Sequence, residues 1–139
     1  MNLSKVLIVD DNIDLAQALE VRLCANDYQT LVARDGSSAV ALALDEMPFA
    51  ILLDLHLPDE DGLAVMQRFR SFPELSSVQI IVVSADCSPV TQHKALEQGA
   101  HAFLEKPVNH HLLLHTLRDI QMRSTDPEHL KATTHTYPL

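Results

Sequence analysis

The chain has 139 residues, 47% of them hydrophobic and 21% charged, with a formal net charge of −9. These values fit a single globular domain with a substantial core, and the negative charge argues against a nucleic-acid surface as its main business. Cys24 and Cys87 form no CxxC pair, which argues against a disulfide scaffold or a cysteine zinc site and suits a reduced cytosolic setting, and the four apolar residues before Asp10 are too few for a signal peptide or a membrane span.

Val6-Leu7-Ile8-Val9 is a continuous apolar run that stops at Asp10-Asp11. Runs of this length without alternation suit parallel strands covered on both faces. Leu15, Leu19 and Leu23 recur at helical spacing and predict a helix from about Ile13, which the acids before it could also cap. Thr30–Ala33 is a weaker strand, and Ala39, Leu42 and Ala43 predict a helix after Gly36. A third strand, Phe49–Leu53, ends at Asp54. Asp59-Glu60-Asp61 reads as a polar loop that deepens the local negative potential, and Leu63, Met66 and Phe69 predict the helix after Gly62. Ile80–Val83 is a fourth strand, followed by Ser84 and Asp86. Ser88-Pro89 reads as an N-cap with proline at the first helical position, and Gly99 as that helix's stop. Ala102-Phe103-Leu104 is a weaker fifth strand leading to Lys106, and Leu113, Leu117 and Ile120 form the apolar stripe of a last helix. The domain is expected over residues 3–123. Residues 124–139, with Pro127 and Pro138, read as a short tail or the start of a linker.

Strand and helix alternate five times, which predicts a doubly wound α/β fold with a parallel sheet. Ligands of such sheets bind beyond the carboxyl ends of the strands, where Asp10, Asp11, Asp54, Ser84 and Lys106 all fall. Clustered carboxylates, Asp86 included, repel one another and are each expected to resist ionising. A hard cation such as Mg²⁺ relieves that repulsion, and a nearby lysine can hold an anion, so the pattern suggests a metal-assisted pocket that handles phosphate.

Taken in order, Val9-Asp10-Asp11-Asn12, the run from Asp54 through Leu57-Pro58 to Asp61-Gly62, Ser84-Ala85, Gly99-Ala100 and Phe103-Leu104-Glu105-Lys106-Pro107 resemble the receiver domain of bacterial two-component response regulators. The resemblance covers residues 3–123 and implies a (βα)5 flavodoxin-like fold whose five-stranded parallel sheet runs in the order 2-1-3-4-5. It makes Asp54 the phosphoacceptor. Asp10 and Asp11, with Asp54 and the His56 backbone carbonyl, become the ligands of Mg²⁺, with Mn²⁺ an alternative. Ser84 stands where threonine is more common but keeps the hydroxyl that meets the phosphoryl group. Lys106 pairs with that group, and Phe103 is the aromatic switch residue. The Lys106–Pro107 peptide is expected to be cis. His56 and Asp86 take positions that influence the lifetime of the acyl phosphate. The implied output face is the fourth helix, fifth strand and fifth helix. The implied partners are a histidine kinase or histidine phosphotransfer protein upstream, and a protein target or an output domain outside this sequence downstream. No further cofactor, nucleic-acid contact or membrane contact is implied for the domain, and it would catalyse only its own phosphorylation and dephosphorylation.

Other readings are weaker. A phosphatase forming an aspartyl phosphate would want a second aspartate two residues after the nucleophile, where His56 stands. A phosphorylation-independent interaction module would not need the full acid, serine and lysine set. Flavin binding would want a phosphate loop after the first strand, and the chain has only three glycines. His111 and His115 have a spacing that can hold zinc, but no HExxH frame or nearby cysteine supports it. Resemblance to the winged-helix transcription-factor branch of the family would imply a set of output-face ion pairs with an aspartate pair just before the switch aromatic. His101 and Ala102 stand there instead, although Lys94, Glu97, Arg118 and Asp119 are available, so that branch's rotationally symmetric dimer is not expected. A monomer or weak dimer is expected.

Overall fold

A computed structural model of the protein describes residues 2–58 and 60–125. Five strands form one parallel sheet: β1 (Asn2–Val9), β2 (Gln29–Ala33), β3 (Pro48–Asp54), β4 (Gln79–Ser84) and β5 (Ala102–Glu105). Their order is β2-β1-β3-β4-β5, as expected. The connecting helices are α1 (Ile13–Cys24), α2 (Gly36–Glu46), α3 (Gly62–Arg70), α4 (Pro89–Glu97) and α5 (His110–Thr125). Helix α5 runs to Thr125 and so takes in the first two residues of the tail expected over 124–139; the rest of that tail, residues 126–139, lies outside the described residues.

The continuous apolar runs divide between two cores because side chains alternate along each strand. Leu7, Val9, Ile51, Leu53, Ile80, Val82 and Phe103 face α2, α3 and α4. Val6, Ile8, Leu52, Ile81, Val83 and Leu104 face α1 and α5, where Leu19, Leu23, Leu113, Leu117 and Ile120 complete the layer. Strand β3 is buried along its whole length, which is why it shows no polar alternation.

Local chemistry sets the helix starts. Asn12, not either aspartate, caps α1, and Asp35 caps α2. Ser88 caps α4 with Pro89 behind it, as the sequence predicts. Gly99 has φ +99°, the left-handed geometry that a helix stop requires of glycine. The Lys106–Pro107 peptide is cis. Two features were not expected from sequence. The first is a 3₁₀ turn at Pro73–Leu75. The second is a small antiparallel ribbon that pairs His56 with Asp61 and Leu57 with Glu60. The sheet order reverses between β1 and β3, so the ends of these two strands form the crevice.

Candidate functional site

Asp10 follows β1, Asp54 ends β3, and both carboxylates are almost fully buried, at 3% and 5% exposed. Lys106, just past β5, donates to Asp10 Oδ2 at 3.1 Å and to Asp54 Oδ2 at 3.2 Å. One ammonium therefore bridges acids from the two central strands. The other oxygens meet the main chain: Asp10 Oδ1 accepts from Asn12 N at 2.9 Å, and Asp54 Oδ1 from His56 N at 3.0 Å.

Burial pushes the Asp10 pKa up, and neither the Asn12 N–H nor Lys106 fully offsets it; repulsion from Asp54 adds a smaller push in the same direction. Burial pulls the Lys106 pKa down most strongly, but its contacts with Asp10 and Asp54 outweigh that and leave it raised. The lysine is thus held charged between two acids, one of which would be easier to protonate than usual.

Asp11, half-buried, completes a group in which one carboxylate oxygen each from Asp10, Asp11 and Asp54 lie within 4.8 Å of one another. Three hard oxygen donors, two of them buried, with a single lysine for countercharge, suit a small hard divalent cation. Among the described residues this is the one group of three or more potential ligands so arranged. His111 and His115 are exposed on α5 and belong to no such group.

Ser84 is fully buried. Its Oγ accepts from Asp86 N at 3.1 Å. Asp86 turns away from the acid cluster: its carboxylate accepts from Ser88 N at 3.0 Å and from Thr91 Oγ1 at 2.8 Å. These bonds, the Ser88 N–H first, hold its pKa below the ordinary aspartate range, with a smaller contribution from His56. The expectation that every acid in the cluster resists ionising is therefore wrong for Asp86. The direction follows from where the side chain points, and here it points at donors. His56 is exposed. Both residues line a groove of about 580 Å³ that also touches Asp11, Pro58, Glu60 and Thr91.

The groove's far wall corrects a second expectation. Glu60 is not a free loop acid. Its Oε2 accepts from Gly36 N at 2.6 Å, and its Oε1 from Arg68 at 2.8 Å. Arg68 also reaches Ser37 Oγ at 3.3 Å, so Glu60 straps the ribbon to α2 and α3. A Cβ on Gly36 would lie 2.5 Å from Glu60 Oε1, so the strap depends on that glycine. Asp61 caps α3 by accepting from Leu63 N, and Asp59 lies outside the described residues. The contacts that Glu60 and Thr91 make along the groove went unrecognised in sequence. A hydroxyl three residues after the Ser88 cap is the one available hint, and the Glu60 contact left none.

Phe103 is buried in the core on the α4 side of the sheet, 6% exposed. Cys87 is half-buried, and burial pushes its thiol pKa up, the reverse of what a reactive thiol needs. Glu97 pairs with His93 and Asp119 with Arg123, each within its own helix.

The family model for the response regulator receiver domain matches residues 6–118. The chain belongs to that family. Curated relatives agree with the assignment. Response regulator PleD of Caulobacter vibrioides is 31% identical over 117 residues, 84% of this chain and 26% of that protein. The transcriptional regulatory protein CpxR of Klebsiella pneumoniae is 32% identical over 131 residues, 94% of this chain and 55% of that protein. The receiver thus spans between a quarter and about half of the length of these relatives. Among solved structures, the chemotaxis response regulator CheY4 of Vibrio cholerae superposes with a TM-score of 0.80 at 28% identity, over 86% of this chain and 99% of that one. The chain therefore contains a response regulator receiver domain of two-component systems, on the expected flavodoxin-like fold. Among its described residues no helix is long and apolar enough to cross a membrane.

Proposed function

We propose that the protein is the phosphoacceptor of a two-component phosphorelay, with residues 3–123 as the working unit and Asp54 as the acceptor. The observation that carries this reading is Asp54 itself. It is a nearly buried carboxylate at the end of the central strand, held by a main-chain N–H on one oxygen and by Lys106 on the other, beside Asp10.

An Asp54 oxygen attacks the phosphorus of a phosphohistidine. The P–N bond breaks, its electron pair leaves on the imidazole, and an acyl phosphate forms. Charge on the three equatorial oxygens is met by the Lys106 ammonium and the Ser84 O–H. A divalent cation, Mg²⁺ or Mn²⁺, held by Asp10, Asp11, Asp54 and the His56 carbonyl, supplies further positive charge to those oxygens when bound. Asp10 and Asp54 are already fixed by the main chain, so little reorganisation accompanies the reaction. Water later attacks the phosphorus, the P–O bond to Asp54 breaks, and inorganic phosphate leaves as the carboxylate is restored, at a rate that His56 and Asp86 at the groove influence. The domain catalyses only its own phosphorylation and dephosphorylation.

The phosphoryl group brings nearly two negative charges next to Ser84 and Lys106. Ser84 moves toward it, and Phe103 fills the vacated space, which reshapes the α4-β5-α5 face. The donor is a histidine kinase or histidine phosphotransfer protein in the cytoplasm. The output is a protein target or a linked output domain. The pairing of Glu97 and Asp119 within their own helices favours a monomer or weak dimer.

Incubation with acetyl phosphate and Mg²⁺ tests this. The wild type gains about 80 Da, one phosphoryl group, and Asp54→Asn gains nothing. An equal gain by the variant refutes the assignment of Asp54. Steady turnover of phosphate esters by the wild type replaces it with a phosphatase, and no gain by the wild type leaves an interaction module that works without phosphorylation.

A further inference from the structure

We propose that Thr91 is a positioning residue that carries the state of the Ser84 hydroxyl into helix α4, acting through Asp86; the inference rests on Asp54 being the phosphoacceptor. The hydrogen bonds are continuous. Asp86 N donates to Ser84 Oγ at 3.1 Å, and the Asp86 carboxylate accepts from Ser88 N at 3.0 Å and from Thr91 Oγ1 at 2.8 Å. Ser88 Oγ lies 3.0 Å from Thr91 Oγ1 and accepts from Thr91 N at 3.3 Å. Asp86 is thereby tied at its main chain to the phosphate-sensing hydroxyl and at both side-chain oxygens to the first turn of α4.

A hydroxyl has one donor and two acceptor sites. The Asp86 N–H fills an acceptor site on Ser84 and leaves the O–H for a phosphoryl oxygen. When Ser84 shifts toward Asp54, Asp86 either follows or loses its bond. It cannot follow without drawing Ser88 and Thr91 with it. While that bond holds, the displacement reaches the start of α4 through Ser88 and Thr91.

The helix is built to respond there. Ala95 is its one buried residue, while Val90 near its start is 64% exposed. Few buried contacts make an element easy to shift. Beyond its carboxyl end, Arg70 grips the Gly99 carbonyl at 3.1 Å and the Val78 carbonyl at 2.8 Å. The segment after the helix is thus pinned to α3 and the start of β4, and the amino end is the free end of the lever.

The test compares wild type, Thr91→Val and Thr91→Ser by hydrogen exchange over residues 88–97, before and after acetyl phosphate with Mg²⁺. Mass measurement of Asp54 occupancy accompanies each sample. Valine keeps the shape and removes the hydroxyl, and serine keeps the hydroxyl. We expect phosphorylation to change exchange several-fold in wild type and Thr91→Ser, and to leave Thr91→Val nearly unchanged at equal occupancy. A full response in Thr91→Val overturns the relay. So does a loss in both variants, which would assign the effect to side-chain shape, or a failure of Thr91→Val to accept the phosphoryl group. A wild type that is phosphorylated but shows no change in α4 overturns the relay alone. A wild type that gains no phosphoryl group overturns the Asp54 reading, and the relay with it.

Discussion

Lys106 and Asp54 meet at 3.2 Å across 52 positions of sequence, and the same ammonium holds Asp10 at 3.1 Å. The sheet brings β1, β3 and β5 side by side through β4 and leaves the lysine as the countercharge between two buried acids. Removing one partner from a buried charged group exposes the others to repulsion and desolvation. Lys106→Met should therefore lower stability by roughly 2 kcal/mol in metal-free buffer, the order of losing hydrogen bonds to charged groups. Mg²⁺ should restore part of the loss, because a cation can replace the ammonium. Urea melts with and without Mg²⁺ check both statements.

Asp10 carries the opposite sign. Its pKa is raised in the folded protein, mainly by burial, so the folded state binds the proton more readily than the unfolded state. Keeping it ionised at neutral pH is a destabilising feature. That penalty fades as the pH falls through the raised value toward the ordinary 3.8. Asp10→Asn should raise the metal-free melting temperature at pH 7 by about 3 °C, and the difference from wild type should shrink on acidification. The same substitution should abolish stabilisation by Mg²⁺. Calorimetric scans between neutral and acidic pH, with and without Mg²⁺, measure all three effects.

Gly62 sits behind Asp54. A Cβ there would overlap Leu55 Cα and lie 2.8 Å from the Asp54 carbonyl oxygen, and both of those neighbours are main chain that cannot swing aside. Gly62→Ala should cost about 3 kcal/mol of stability, at the upper end for overpacking. Because Gly62 N also donates to Leu55 O, the strain falls on the peptide next to Asp54. Equilibrium unfolding gives the cost, and Mg²⁺ titration by calorimetry should show weaker binding.

Glu60 straps the ribbon that begins at His56 to the amino end of α2. Glu60→Ala should lower stability by roughly 1 kcal/mol, the order of one or two part-exposed hydrogen bonds. Its larger effect should fall on the site: Mg²⁺ half-saturation should rise several-fold, with the phosphorylation rate at saturating Mg²⁺ nearly kept. Arg68→Ala should shift the same quantity less, because the Gly36 contact survives. Rates of phosphorylation by acetyl phosphate across a Mg²⁺ series separate the two parameters.

Asp10, Asp11, Asp54 and Lys106 were legible as a group because each closes an apolar run, and parallel strands put their carboxyl ends on one edge. The Ser88-Pro89 helix start and the Gly99 stop were legible because caps are local chemistry. Glu60 read as a loop acid because its partners, Gly36 and Arg68, lie on two different helices. Asp86 was read with the wrong sign for a similar reason. Its composition as an acid among acids suggested repulsion, but its carboxylate faces the Ser88 N–H and the Thr91 hydroxyl.

The order of apolar runs and the residues that end them determined by themselves the parallel sheet, the edge that carries the site and the family of the chain, because strand burial and strand direction are written in local pattern. Tertiary structure alone decided which acids gather within 4.8 Å of one another and which serve a helix, that Lys106 divides itself between two carboxylates, and that Glu60 and Thr91 line the groove. Those outcomes depend on the direction of side chains across elements distant in sequence, where a shift of a few ångströms turns repulsion into a hydrogen bond.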